Sequence, residues 1–84
     1  MNIKVLGPGC ARCQKLEKTV QEAVREMGID ASVQKVSDMK EIAKYPILMT
    51  PGLVINDSLV VSGKVPDKAE VKRHITSALA AERS

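Results

Sequence analysis

The sequence predicts an α/β fold of order β-α-β-α-β-β-α, with a mixed sheet and helices on both of its faces. Three observations carry this. Short apolar runs alternate with segments of helical period along the 84 residues. A helical segment separates the first two strand runs, so those strands should pair in parallel through a right-handed crossover. Only Asn56-Asp57-Ser58 separates the last two runs, and those turn residues make an antiparallel hairpin. Covering both faces of the sheet is the simplest way to bury every apolar stripe.

The first strand is Asn2 to Leu6, followed by a Gly7-Pro8-Gly9 turn. The first helix runs from Ala11 to Met27, with Leu16, Val20, Ala23, Val24 and Met27 as its apolar stripe. Lys15, Lys18, Gln21, Glu22 and Arg25 occupy its polar face, and Gly28 stops it as a C′ residue. The second strand spans Ala31 to Val36. Asp38 can cap a short second helix, with capping-box spacing to Glu41, and this helix must end near Tyr45 because Pro46 follows. Pro46 to Pro51 is an apolar loop pinned by two prolines. Gly52 to Ile55 and Leu59 to Ser62 are the hairpin strands, and Gly63 to Pro66 is a loop. Asp67 with Glu70 opens a last helix that buries Val71, Ile75, Ala78 and Leu79, and the final 82–84 should fray.

This length suits one domain, spanning 1–84. At this size only about 60–65% of the unfolded chain's surface is buried on folding, so the core is thin. Phe and Trp are absent and Tyr45 is the single aromatic, which leaves Val, Ile, Leu, Met and Ala to fill it. Met27, Met39 and Met49 read as core filler. The net charge of +3 comes from charges that alternate in sign rather than forming a basic block. With no aromatic stacking platform either, nucleic-acid binding is not expected. No apolar stretch has membrane length and no signal-peptide pattern is present, so the expected compartment is the cytoplasm, with no membrane partner.

Cys10 and Cys13, the only cysteines, follow the first strand directly and open the first helix. A helix N-terminus offers unpaired N–H groups and the positive end of the dipole, both of which favour a thiolate. Three readings fit the pair. Two small buried hydrophobes would need no chemistry. Thiolates could hold zinc or copper(I), as in a metal or metalloid carrier, but zinc needs about four ligands and the one histidine, His74, lies far along the chain. Thiol–disulfide exchange needs one attacking sulfur and a second to resolve the mixed disulfide, and the strand–turn–helix setting favours it. A structural staple is a poor explanation, because so short a closed loop hardly constrains the unfolded chain. Thr50-Pro51, just before a strand, invites a cis peptide bond that would present the Thr50 backbone to an extended substrate.

The blocks Gly7-Pro8-Gly9-Cys10-Ala11-Arg12-Cys13, Thr50-Pro51-Gly52-Leu53-Val54-Ile55-Asn56 and Val60-Val61-Ser62-Gly63-Lys64-Val65-Pro66 together resemble the small thioredoxin-like proteins of bacteria and archaea, the redox-active disulfide proteins or glutaredoxin-like thioredoxins. The resemblance spans essentially the whole chain. It implies a minimal thioredoxin fold with a four-stranded sheet of order 2-1-3-4, a redox pair at Cys10 and Cys13, and a cis-proline at Pro51. The expected activity is that of a protein-disulfide oxidoreductase acting in cell redox homeostasis and electron transport. Cys10 would be the nucleophile and Cys13 the resolving thiol. Thr50 and Pro51 would line the substrate groove. The expected partners are protein or small-molecule disulfides and a recycling reductase; the chain is expected to be a monomer and to need no cofactor. A domain used only for docking is a further alternative.

Ala11 and Arg12 depart from the Gly-Pro of typical thioredoxins and the Pro-Tyr of typical glutaredoxins, and are the candidate modulators of the pair. Arg12 either lowers a thiolate pKa by its charge or is a solvated first-turn residue. Ser62-Gly63 stands where glutaredoxins carry a Gly-Gly. Tyr45 reads as a core or rim residue and His74 as a helix-surface residue.

Overall fold

The structure is a computed structural model, and residues 1–82 are described. Its elements are β1 (Asn2–Leu6), α1 (Ala11–Met27), β2 (Ser32–Val36), α2 (Met39–Ile42), β3 (Gly52–Ile55), β4 (Ser58–Ser62) and α3 (Lys68–Glu82). The strands form one sheet of order β2-β1-β3-β4. β1 pairs with β2 in parallel and with β3 antiparallel, and β3 pairs antiparallel with β4. This is the minimal thioredoxin fold that the sequence blocks imply.

The period-2 pattern of the central strands sorts the core into two layers. Ile3, Val5, Leu53 and Ile55 face Leu16, Val20 and Ala23 of α1 and Val71 and Ile75 of α3. Leu6 and Val54 point the other way and meet Ile42 of α2, with Tyr45 and Ile47 packed against them. Every residue of β3 is buried. Each fully buried Val, Leu or Ile side chain contributes about 1.5–3 kcal/mol, so this aliphatic core needs no aromatic. Val24, Met27, Ala78 and Leu79 sit at its margin, partly buried.

Local chemistry sets the element ends. Gly28 takes a left-handed conformation (φ 63°), and its N–H closes α1 on Val24 O and Arg25 O. Asn56 and Asp57 both have positive φ (49° and 68°), as a two-residue hairpin turn with the strands' twist requires. Val60 is the extra residue of a β-bulge, because Leu53 pairs with Val61 while Val54 pairs with Leu59.

Four expectations are corrected. Met39 and Met49 are not core filler: they are 62% and 63% exposed, beside Leu48 at 94%, because the single turn of α2 buries only Ile42 and the loop from Pro46 to Pro51 turns only Ile47 and Pro51 inward. Asp38 and Asp67 do cap their helices, accepting from Lys40 N and Glu70 N, but Glu41 and Glu70 turn to Lys44 and Lys64 instead of completing capping boxes. α2 is a single turn ending at Ile42, with Tyr45 N bonded back to Ile42 O before Pro46. Glu82 stays helical, and its carboxylate accepts from Asn56 Nδ2 at 2.8 Å; the rest of the segment expected to fray, 83–84, lies outside the described residues.

α1 and α3 are also joined by charge. The Glu26 carboxylate receives Lys68 Nζ at 2.5 Å on one oxygen and Lys72 Nζ at 2.8 Å on the other. The Lys68 hydrogen bond, then that of Lys72, holds the Glu26 carboxyl at about 2, below the ordinary 4.5. A carboxylate with a depressed folded-state pKa stabilises the fold above its unfolded pKa, and loses that contribution as pH falls through the folded one. Glu26→Gln should therefore lower Tm at pH 7 by about 2–4 °C, as expected for a solvent-exposed ion-pair network in a domain this small. Thermal melts of the two proteins should converge as the pH drops from about 4.5 towards 2, and also in high salt.

Candidate redox site

The site lies at the C-terminal end of β1, where the chain turns through Gly7-Pro8-Gly9 into α1. Gly9 supplies the left-handed conformation this turn needs (φ 91°). Cys10 is the N-cap residue of α1, in extended conformation, and its sulfur accepts the Cys13 backbone N–H at 3.3 Å. The first helical bond follows from Gln14 N to Cys10 O at 3.0 Å. One turn in, Cys13 points into the fold with 3% exposure, whereas Cys10 is exposed. The two sulfurs are in contact at 2.6 Å.

The surroundings separate the two thiols electrostatically. Cys10 lies below the ordinary thiol range, chiefly through the hydrogen bond from the Cys13 side chain and then through the Cys13 N–H; desolvation opposes this, and the Arg12 N–H adds a smaller lowering. Burial pushes Cys13 up, and its contact with Cys10 pushes it further. Deprotonation thus starts at the exposed sulfur.

Gly7 is a site residue that the sequence reading treated only as part of a turn. Its N–H is bonded to Val36 O at 2.9 Å. A Cβ at this position would fall on Cys13 Sγ, with Thr50 Cβ 3.9 Å away. The same corner therefore holds Cys13, Gly7 and Thr50. The signal available in the sequence was a glycine directly between the strand and the cysteine pair.

The Thr50–Pro51 peptide bond is cis, and Pro51 is buried. Pro51 O accepts from Gly63 N at 2.8 Å. Ala11 is exposed at the start of α1. Arg12 is exposed as well, but it is not simply solvated: its Nη2 donates to Gly63 O at 2.9 Å. Beside Thr50, a shallow hollow of about 200 Å³ opens among Met39, Ile42, Leu48 and Met49. Its exposed methionines are the second feature missed in the sequence, because their hydrophobicity alone made them core filler.

Tyr45 and His74 lie away from the sulfurs. Tyr45 packs on the α2 side of the sheet and its hydroxyl accepts from Lys4 Nζ at 3.1 Å, which raises the Lys4 pKa. His74 lines a groove with Ile55, Ser58 and Val60 towards the hairpin turn, 3.7 Å from Glu70. Among the described residues, no group of three or more His, Cys, Asp or Glu side chains is placed to hold a metal ion. Among the same residues, no helix is long and apolar enough to cross a membrane.

The family model of the thioredoxin domain matches residues 1–76. The chain belongs to the thioredoxin family. Among its relatives, a thioredoxin of Methanothermobacter thermautotrophicus is 42% identical over 73 residues, covering 87% of this chain and 95% of that protein. A thioredoxin of Methanocaldococcus jannaschii is 40% identical over 77 residues, covering 92% of this chain and 88% of that protein. Membership supports thiol–disulfide oxidoreductase chemistry in general terms.

Two substitutions test the geometry. Gly7→Ala forces its methyl into Cys13 Sγ and should destabilise the fold by about 1–3 kcal/mol, the usual cost of overpacking, as read by denaturant unfolding. Cys13→Ala removes the largest cause of the low Cys10 pKa. Its Cys10 thiolate absorbance should then appear at higher pH than in the parent protein.

Proposed function

We propose that this protein is a dithiol–disulfide oxidoreductase acting on protein disulfides, with Cys10 as nucleophile and Cys13 as resolving thiol. The observation that carries this is the inequality of two touching sulfurs: one is exposed, caps the helix N-terminus and has its pKa lowered, while the other is buried and has its pKa raised. The Cys10 thiolate attacks one sulfur of a substrate disulfide and expels the other as a thiolate, forming a mixed disulfide. Cys13 then loses its proton to solvent or to the departing thiolate and attacks Cys10 Sγ. The second substrate thiolate leaves, and a Cys10–Cys13 disulfide remains. The substrate gains two electrons and the protein loses two. A reductase or a low-molecular-weight thiol of lower potential then returns the pair to the dithiol state.

Thr50 and Pro51 supply the opposite wall of the groove, next to the corner that holds Cys13. In this reading an extended substrate segment lies along the Thr50 backbone while its disulfide reaches Cys10. In this reading the domain acts as a monomer in a reducing compartment such as the cytoplasm, where an unstapled dithiol is kept reduced.

Cys13→Ser should accumulate a mixed disulfide through Cys10 with an oxidised protein substrate, seen as an intact-mass adduct that dithiothreitol removes, and Cys10→Ser should give none. Trapping through Cys13 would reverse the two roles. Oxidised protein titrated against a dithiol buffer should follow one two-electron transition; a flat titration across the biological range would sink the reading.

A further inference from the structure

Arg12 stands in the first turn of α1, where a cation opposes the helix dipole and no acidic side chain compensates it. Its guanidinium is directed instead onto the carbonyl of Gly63, 51 positions along the chain, at 2.9 Å. Gly63 is a junction. Its N–H donates to Pro51 O at 2.8 Å, so one residue bonds both the turn carrying the cysteines and the loop carrying Thr50 and Pro51. The neighbouring Ser62 grips the same loop: its hydroxyl receives Leu48 N at 3.4 Å and donates to Met49 O at 3.3 Å. Gly63 has positive φ (79°), and a Cβ there would press on Met49 Cβ at 3.0 Å, so the loop lies directly against this corner.

We infer that Arg12 is a positioning residue for substrate binding: through Gly63 it braces the loop 48–51 against the Cys10 turn and fixes the width of the groove between them. A planar guanidinium with five donors suits this role, since it can hold a carbonyl in fixed geometry and keep donors for solvent. Arg12 reaches Cys10 itself through its backbone N–H, which any non-proline residue at this position would supply. The side chain is therefore free to act on the loop. A substrate large enough to lie along Thr50 depends on the brace; a small disulfide that meets only Cys10 does not.

The inference rests on the oxidoreductase reading for its kinetic test, and on that reading not at all for its structural one. The structural test is amide hydrogen exchange at Gly63. Arg12→Ala should speed it by about three- to tenfold, the scale of one partly exposed hydrogen bond, with the α1 amides beyond the first turn unchanged. The kinetic test compares a folded protein disulfide with a small aromatic disulfide. Arg12→Ala should raise KM for the protein disulfide by about three- to tenfold relative to the small one, with kcat for the protein substrate kept within twofold.

Ser62→Ala removes no charge, and it should reproduce the selective rise in KM while leaving the Cys10 thiolate titration where it is. The double variant should then cost less than the sum of the two, because both act on one corner. Unchanged Gly63 exchange in Arg12→Ala would overturn the inference. So would equal losses for the two disulfides that track a shift in the Cys10 titration, since that result makes Arg12 a charge effect on the thiolate. A protein that exchanges with neither disulfide but shows faster Gly63 exchange in Arg12→Ala would refute the oxidoreductase reading and leave the brace standing.

Discussion

The first turn of α1 has to satisfy backbone N–H groups that no preceding residue can accept, and the acceptor it uses is a sulfur. Cys10 Sγ does what a Ser or Asp oxygen does at other N-caps, taking the N–H of the residue three positions on. That residue is Cys13. The spacing that makes a cap therefore also stacks the second sulfur above the first, on the face of α1 that turns toward the sheet. Exposure of one thiol and burial of the other follow from a single local geometry, because the N-cap lies at the surface while the third helical position already faces the core. The opposed pKa directions of the two cysteines are the electrostatic form of the same fact.

The sheet brings the rest of the site to that helix end. β1 runs toward the cysteines and is antiparallel to β3, so β3 starts beside the place where β1 finishes, with Leu6 opposite Gly52. β4 runs back along β3 and finishes at the same end, with Ser62 opposite Gly52. Segments far apart in the chain thus deliver Cys10, Thr50-Pro51 and Ser62-Gly63 to one rim. Two close approaches make the rim compact. Gly7 leaves space for Cys13 Sγ, and Gly52 leaves space for Ile47, whose Cδ1 a Cβ there would strike. The latter contact ties the loop before Pro51 to the α2 layer of the core.

Much of the fold was legible because each element announces itself locally. The 3.6-residue stripe of α1, Gly28 after it and Asn56-Asp57 between two β-branched runs depend on residues within a few positions of one another. So does the cysteine pair. What escaped the sequence depends on the path of the chain in three dimensions. The Gly7 contact with Cys13 needs the path of the turn, and the Arg12 bond needs the end of β4. Met39 and Met49 illustrate the limit of composition: hydrophobicity gives a propensity for burial, but a four-residue helix and a proline-pinned loop offer too little buried face to use it. The edge strand β2 shows the same effect. Its alternation is weak because only one neighbour and a partly covered face constrain it.

The two cysteine environments also pull on the redox equilibrium in opposite senses. A hydrogen-bonded Cys10 thiolate stabilises the dithiol form at any pH above its own lowered pKa, and whatever stabilises the reduced form makes the disulfide a stronger oxidant. Burial of Cys13 acts against ionisation of the second thiol, so once Cys10 is deprotonated the reduced pair carries one negative charge, not two. Oxidation removes that charge and with it the best acceptor for the Cys13 N–H at the head of α1. The helix end consequently loses a charged cap when the disulfide forms and regains it on reduction, so capping energy is part of the driving force for reducing the pair. Substitutions that weaken the cap should thus favour the disulfide even where they touch neither sulfur, which couples the potential of the pair to the integrity of the first turn of α1.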